Sequence, residues 1–472
     1  MPSSPLVLLL NPPGKGAIIR DYFCSKTSRT GYLFAPIALL HAGAVFAAGG
    51  FRVQALDSIA LGLSEDECLK RIASLRPDVV FSLVGAVSVA GDRVFLNALV
   101  ARFPGVVVMG CGDVLLEGAE AWVEQGTLNA AVLDFSLASM ADFARGAPGP
   151  LPGITGRFGD QILSAPVPRE QRVAVGLPPH ELFLDYGYRY PFARRRPFAG
   201  VLTDFGCPFS CSFCVMSGLV YHRRPMDEVA AEIRHLNALG VREFMLWDQT
   251  FAAKREWALE FLDVLPDAHT SQGMGWTCFT RPDRLDADLA RRMALKGCHT
   301  AIMGVETAKP ETLLAMRKGF TPQQAREAFA ACHAAGISTV ATIIVGLPGE
   351  SPADVENTMR LILEMDPDYL SVHTAVPRAG TGLREGMSAS GLVPEGCEAM
   401  DQSGEECVLA SDSMSAEEIL RLRRSCNRRF YARPSYLART ALRLLSRPQL
   451  LLDQVRQGLT LLRRNRQAGR TS

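Results

Sequence analysis

Gly206-Cys207-Pro208-Phe209-Ser210-Cys211-Ser212-Phe213-Cys214 carries three cysteines in the spacing C-x3-C-x2-C. Three soft thiolates in one short loop can hold three irons of a [4Fe–4S] cluster and leave the fourth iron open to a ligand. Structural zinc wants four ligands, usually as paired C-x2-C units, and no second close pair is present. Three cysteines cannot pair among themselves as disulfides. The loop follows a predicted strand over 199–205, so the spacing points to a metal-cluster loop at the C-terminal end of a strand.

Outward from that strand the sequence alternates. Strands are predicted at 241–247, 274–280, 300–305, 338–345 and 369–376, and helices at 226–239, 254–265, 286–296, 321–335 and 352–365. Six βα-type units make a partial (βα)6 barrel, and barrels of this kind carry their chemistry at the C-terminal ends of the strands.

The first part of the chain alternates as well. Leu6–Leu10 reads as a buried strand. It is followed by a helix over Pro36–Ala48, strand Val53–Leu56, helix Glu65–Leu75, strand Asp78–Leu83, helix Arg93–Phe103, strand Val106–Met109, helix Leu115–Gln125 and strand Ala130–Asp134. Short apolar strands alternating with helices predict a doubly wound α/β domain with a five-stranded parallel sheet. The expected plan is therefore a doubly wound domain over 1–136, a linker over 137–197, a barrel over 198–385 and a helical region over 386–472. The linker holds a turn-rich stretch, Gly146–Gly153, and a triple arginine, Arg194–Arg196, that reads as a solvated face.

Lys and Arg total 50 and Asp and Glu 49, so charge implies no nucleic-acid partner. The other cysteines are scattered singly, as in reduced cytoplasmic thiols, and the N-terminus does not read as a signal peptide. Tyr32–Phe51 lacks charge but contains Pro36 and His41 and precedes a strand, so a buried helix is expected. Ser435–Arg466 is basic and leucine-rich, with Pro448 expected to split it in two; a basic amphipathic helix can contact a membrane surface or pack on the barrel. Gly14-Lys15-Gly16 lacks P-loop spacing. Cys24 stands alone in a loop expected to face the barrel.

The cysteine loop, with the aromatic Phe213 before the last cysteine, resembles the cluster motif of radical S-adenosylmethionine (SAM) enzymes. The later strand ends are similar too. Leu246-Trp-Asp248-Gln-Thr-Phe251 resembles the Asp-Asp-Thr-Phe pattern of the cobalamin-dependent group, with Gln249 replacing the second Asp. Gly304-Val-Glu306-Thr307 resembles a SAM-contacting segment, Ile344-Val-Gly346-Leu-Pro-Gly-Glu350 resembles an adenine-packing one, and Arg281 ends the third strand where a SAM carboxylate could lie. The resemblance implies that Cys207, Cys211 and Cys214 hold the cluster, that Phe213, Asp248, Arg281, Glu306 and Gly346 serve SAM, and that SAM is cleaved to a 5′-deoxyadenosyl radical.

The resemblance also implies an N-terminal cobalamin-binding domain of flavodoxin-like topology. Asp57-Ser-Ile59-Ala-Leu-Gly62 keeps the Asp and Gly of the Asp-x-His-x-x-Gly cobalamin motif but has Ile59 in place of the histidine, so cobalt would lack a lower protein ligand. Ser82, Ser88, Gly110 and Gly112 would line the nucleotide tail. The implied activity is methylation of an unactivated carbon of a hydrophobic or tetrapyrrole-like small molecule, as in class B radical SAM methyltransferases. The alternatives are ring closure or oxidation, as in the anaerobic magnesium-protoporphyrin IX monomethyl ester cyclase, or a sensor without turnover. An external electron donor such as flavodoxin or ferredoxin is expected.

Overall fold

The computed structural model describes residues 4–446, except 22–24, 29, 170–171, 395–396, 398–399 and 402–407. Cys24 and the basic stretch beyond Ser446 lie outside the described residues.

The first sheet has seven strands: β1 (Leu6–Asn11), β2 (Arg52–Asp57), β3 (Val79–Leu83), β4 (Val107–Cys111), β5 (Ala130–Val132), β6 (Ile154–Phe158) and β7 (Gln161–Ser164). Their order is β2-β1-β3-β4-β5-β6-β7. The first five are parallel, and β6 and β7 add an antiparallel hairpin. Leu8, Leu9 and Leu10 are fully buried, as strands covered on both faces must be.

This sheet reaches to Ser164, so the first domain extends past residue 136 into the stretch expected as linker. The hairpin turns at Gly159-Asp160, where Gly159 takes φ 60°. The helix expected over Leu115–Gln125 is broken into a 3-10 turn, Asp113–Leu116, and a helix, Ala119–Glu124. Gly118 between them sits at φ 74°, outside helical space.

The uncharged stretch 32–51 forms the helix Ile37–Ala48, in which Ile37 to Phe46 are all buried. It is apolar all round because it is enclosed between the first sheet and the barrel. Among the described residues no helix is long and apolar enough to cross a membrane.

The second sheet contains β8 (Ala199–Val201), β9 (Glu243–Phe251), β10 (Gly275–Thr280), β11 (Cys298–Glu306), β12 (Ser338–Val345) and β13 (Tyr369–Thr374), all parallel and in sequence order. This is a six-stranded arc, because β8 and β13 do not pair with each other. Helices cover its outer face, and Thr321 and Ser351 start two of them with reciprocal capping boxes. The helix Ala416–Tyr431 packs Ile419 and Phe430 into the same outer core.

The first domain and the segment after it cover the inner side of the arc. The rings of Phe34 and Trp247 lie 4.3 Å apart, Tyr190 packs on Trp247 at 5.9 Å, and Phe192 packs on Tyr369 at 5.3 Å. Arg194 crosses beneath the strands, its backbone donating to Glu243 and its guanidinium to the His299 carbonyl. A buried ion pair, Arg378 with Asp113 at 2.6 Å, and a buried hydrogen bond between His180 and Glu232 at 2.7 Å tie the halves together. Burial alone would raise the Glu232 carboxyl, but Arg224 and His180 bring it down to about 2.

Candidate active site

Phe205 ends a short strand and Gly206 turns the chain. A Cβ on Gly206 would stand 2.4 Å from the Val220 carbonyl, and its φ is 74°, so only glycine lets the cysteine loop fold back here. The loop is then fixed at its middle: Ser212 N–H donates to the Met316 carbonyl at 3.1 Å, and Leu383 N–H donates to the Ser212 carbonyl at 2.8 Å.

The three thiols share this loop and feel one another's charge. Burial pushes the Cys207 thiol up and the Cys214 thiol to about 11. As free thiols Cys207 and Cys214 stay protonated, so binding a cluster releases protons. Among the described residues no three His, Cys, Asp or Glu side chains converge closely enough to hold a single metal ion. Three thiols from one loop suit a four-iron cluster, which can take three cysteines and leave one iron open, better than a structural zinc, which wants four ligands. Donors face the sulfurs: Arg281 Nη1 is 3.6 Å from Cys211 Sγ, and Thr250 Oγ1 is 3.7 Å from Cys207 Sγ.

A charged wall stands next to the loop, at the ends of β10 and β11. Arg281 stacks on Phe209 at 3.9 Å, pairs with Asp283 at 2.9 Å and donates to the Lys318 carbonyl. Lys318 pairs with Glu306 at 2.8 Å and lies 5.6 Å from the Phe213 ring. Glu306 holds φ 63°, a strained left-handed conformation for a residue with a side chain. Its carboxylate folds back over Gly304, whose missing Cβ leaves room for it. Cys211, Phe213, Arg281 and Glu306 are thus brought together.

Asp248 is placed differently. It is buried, and it accepts from the backbone of Thr203 and Asp204 and from the Thr203 hydroxyl. It therefore braces the root of the cysteine loop. Asp204 lies beside it and accepts from the Tyr221 hydroxyl at 3.0 Å. Burial raises both carboxyls, and Asp248 raises Asp204 further. Gly346, at φ 93°, leaves the space that Ile419 fills, and its N–H donates to Glu350. Lys318, Asp204 and Tyr221 were not singled out by the sequence, because no spacing marks them.

In the first domain Asp57 caps the turn after β2, accepting from Ala60 N–H, and it also accepts from Asn11 and the Tyr188 hydroxyl. Gly62 ends that turn at φ 64° with nothing near its missing Cβ. Ile59 packs with Ile18, Val87 and Leu33 in a small apolar cluster. Ser82 is fully buried and donates to the Leu83 carbonyl. Ser88 bonds to Asp92, which pairs with the fully buried Arg20 at 2.6 Å. A Cβ on Gly110 would meet Leu128, and one on Gly112 would stand 1.7 Å from the Val84 carbonyl. Gly112 is thus required by packing within the domain itself, whereas Gly110 faces a side chain. A cobalamin without a lower protein ligand fits this edge, because the residue at the histidine position belongs to an apolar ledge with no metal-binding atom.

Outside the cysteine loop lies a cavity of about 420 Å³, lined by Ser210, Ser212, Met316, Arg317, Leu383 and Met387. The thiols do not line it.

The Radical SAM superfamily profile matches residues 202–362. The chain is 30% identical over 245 residues to an uncharacterized methyltransferase of Pyrococcus horikoshii, covering 51% of this chain and 53% of that protein. It is 31% identical over 200 residues to the tRNA-2-methylthio-N(6)-dimethylallyladenosine synthase of Chloroflexus aurantiacus, covering 39% and 42%. The matches thus span about half the length of these curated relatives or less. Among solved structures, the radical SAM methyltransferase TsrM of Kitasatospora setae, with cobalamin and a [4Fe–4S] cluster bound, has a TM-score of 0.65 at 21% identity, covering 82% of this chain and 78% of that one. The cobalamin-dependent SAM radical enzyme OxsB has a TM-score of 0.61 at 13% identity, covering 89% and 61%. The two-domain fold is therefore shared with these enzymes, and the match to the Radical SAM superfamily profile falls on the barrel that carries the cysteine loop.

Proposed function

We propose that the chain is a cobalamin-dependent radical SAM enzyme that methylates a carbon of a small hydrophobic biosynthetic molecule, tetrapyrrole-like compounds included. The observation that carries this reading is the meeting of the cysteine loop with Arg281, Lys318 and Glu306 at the barrel mouth. When bound, the cluster supplies an electron to SAM and cobalamin supplies a site for the travelling methyl group.

The residues divide the work. Cys207, Cys211 and Cys214 hold the cluster. Glu306 accepts hydrogen bonds from SAM's ammonium or ribose, while Lys318 and Arg281 offer cations to its carboxylate. Phe213 and the Gly346 turn flank the adenine, and Asp248 keeps the loop in place. Asp57, Gly62, Ser82, Ser88, Gly110 and Gly112 would form the edge that receives cobalamin, where Ile59 offers no atom that could ligate cobalt. No disulfide joins any of the ten described cysteines, which suits a reducing cytoplasm. Flavodoxin or ferredoxin would supply the electron.

Anaerobic reconstitution with iron, sulfide and cobalamin tests the reading. Turnover should give S-adenosylhomocysteine and a methylated product. Formation of 5′-deoxyadenosine without S-adenosylhomocysteine would favour ring closure or oxidation instead. A cluster spectrum unchanged by SAM would point to a sensor.

A further inference from the structure

The helix Pro434–Ser446 carries its polarity the opposite way round from an ordinary surface helix. Its inward side is polar and anchored. Arg439 makes two hydrogen bonds to Asp366, at 2.7 and 2.8 Å, and Arg433, just before the helix, reaches the same carboxylate at 3.1 Å. The Tyr436 ring packs on Tyr431 at 5.0 Å and on Phe430 at 5.8 Å. Phe430 is fully buried in the outer core of the barrel, so these contacts hold the helix in one rotation.

The outward side is apolar. Leu437, Ala438, Ala441 and Leu442 are exposed, the two leucines at 54% and 65%. Leu437 and Ala441 are spaced i, i+4, as are Ala438 and Leu442, so the four make two adjacent rows on one face.

The sequence that follows says what such a face meets. The whole chain is nearly neutral, with 50 basic and 49 acidic residues, yet residues 443–472 hold seven arginines against one acid, Asp453. The same stretch holds eight leucines. An apolar helix face continued by a segment that is both basic and leucine-rich matches the chemistry of an anionic lipid surface. Among the described residues no helix is long and apolar enough to cross a membrane, so the contact is one of lying on the surface. A nucleic acid fits less well, because a face of leucine and alanine offers its phosphates no donor. A second copy on this face would bring two strongly basic stretches together.

We propose that the outward face of the helix Pro434–Ser446 docks on an anionic lipid surface, with Leu437 and Leu442 inserted at the edge of the acyl chains and the arginines that follow them in sequence paired with lipid phosphates. The docking needs neither cluster nor cobalamin. A chain that binds lipid but makes no S-adenosylhomocysteine therefore keeps this proposal and loses the function proposed above.

Cosedimentation of the full chain with vesicles tests it. The probes are vesicles of phosphatidylcholine and phosphatidylglycerol at a ratio of about two to one, and vesicles of phosphatidylcholine alone as control. The mixed vesicles should bind at least about tenfold more tightly than the control, and added salt should weaken them. Leu437→Gln with Leu442→Gln should weaken binding about a hundredfold, about tenfold for each leucine, with the melting temperature unchanged. Absence of binding to the mixed vesicles, equal binding to the two kinds, or binding indifferent to the leucine substitutions overturns the proposal. A melting temperature lowered by those substitutions also overturns it, because the face is then already covered within the protein. A dimer in light scattering that the substitutions dissolve assigns the face to a second copy instead, and binding of polyuridylate in place of vesicles assigns the basic stretch to nucleic acid.

Discussion

Arg281 points its guanidinium at the sulfur of Cys211, with Nη1 and Sγ 3.6 Å apart. The guanidinium is held on three sides, by the Phe209 ring, by Asp283 and by the Lys318 carbonyl. A fixed cation this close to a cluster ligand favours the reduced, more negative state of the cluster. Arg281→Gln should therefore lower the reduction potential of the reconstituted cluster, by up to roughly 100 mV at an effective dielectric constant near 20. Potentiometric titration followed by electron paramagnetic resonance reads the shift. An unchanged potential would show that Arg281 acts only on the shape of the loop.

Glu306 and Lys318 are each about one-twelfth exposed, with side chains 8% accessible. Removing one partner of such a pair strands the other charge. Lys318→Met and Glu306→Gln should each destabilise the fold, Lys318→Met by about 3 kcal/mol, and the double variant that combines them should recover most of that loss. Urea unfolding of the four proteins, wild type included, gives the coupling directly.

Gly112 and Gly110 separate two kinds of tight packing. The missing Cβ of Gly112 faces a backbone carbonyl, that of Val84, which cannot step aside. The missing Cβ of Gly110 faces the end of the Leu128 side chain, which can. Gly112→Ala should abolish soluble folded protein or cost more than about 4 kcal/mol, whereas Gly110→Ala should cost about 1–3 kcal/mol. Thermal melts compare the two.

Glu350 gives a pH dependence. Burial raises its carboxyl from 4.5 to about 7, against the hydrogen bonds from Thr307 and Gly346. A carboxyl whose folded pKa lies above its unfolded value stabilises the fold fully below the lower value, and that contribution is lost as pH rises through the higher one. Native stability should thus fall by roughly 3 kcal/mol between about pH 4.5 and about pH 7 on account of this group. Glu350→Gln should remove that slope, since the Thr307 hydroxyl can turn to accept from the new amide. Denaturant unfolding of both proteins at pH 4 to 8 measures the difference.

The barrel was legible from the sequence because each strand is a short apolar run closed by a turn. β12, predicted over 338–345, is observed at Ser338–Val345. The hairpin of β6 and β7 also had a signal, the Gly159-Asp160 turn between alternating residues, but it was submerged in a stretch rich in proline and glycine. The orientation of Asp248 was not legible. Its partners, Thr203 and Asp204, lie 45 and 44 residues away, and only the pairing of β8 with β9 brings them to it. The same holds for Lys318, which reaches Glu306 because Gly304 lacks a side chain.

The aromatic underside of the arc comes from stretches that take no part in holding the cysteine loop. Phe34 belongs to the first domain, and Tyr190 and Phe192 to the segment between domains. The barrel residues 198–385 expressed alone would therefore leave Trp247 and Tyr369 without the rings that cover them, and that shorter chain should aggregate.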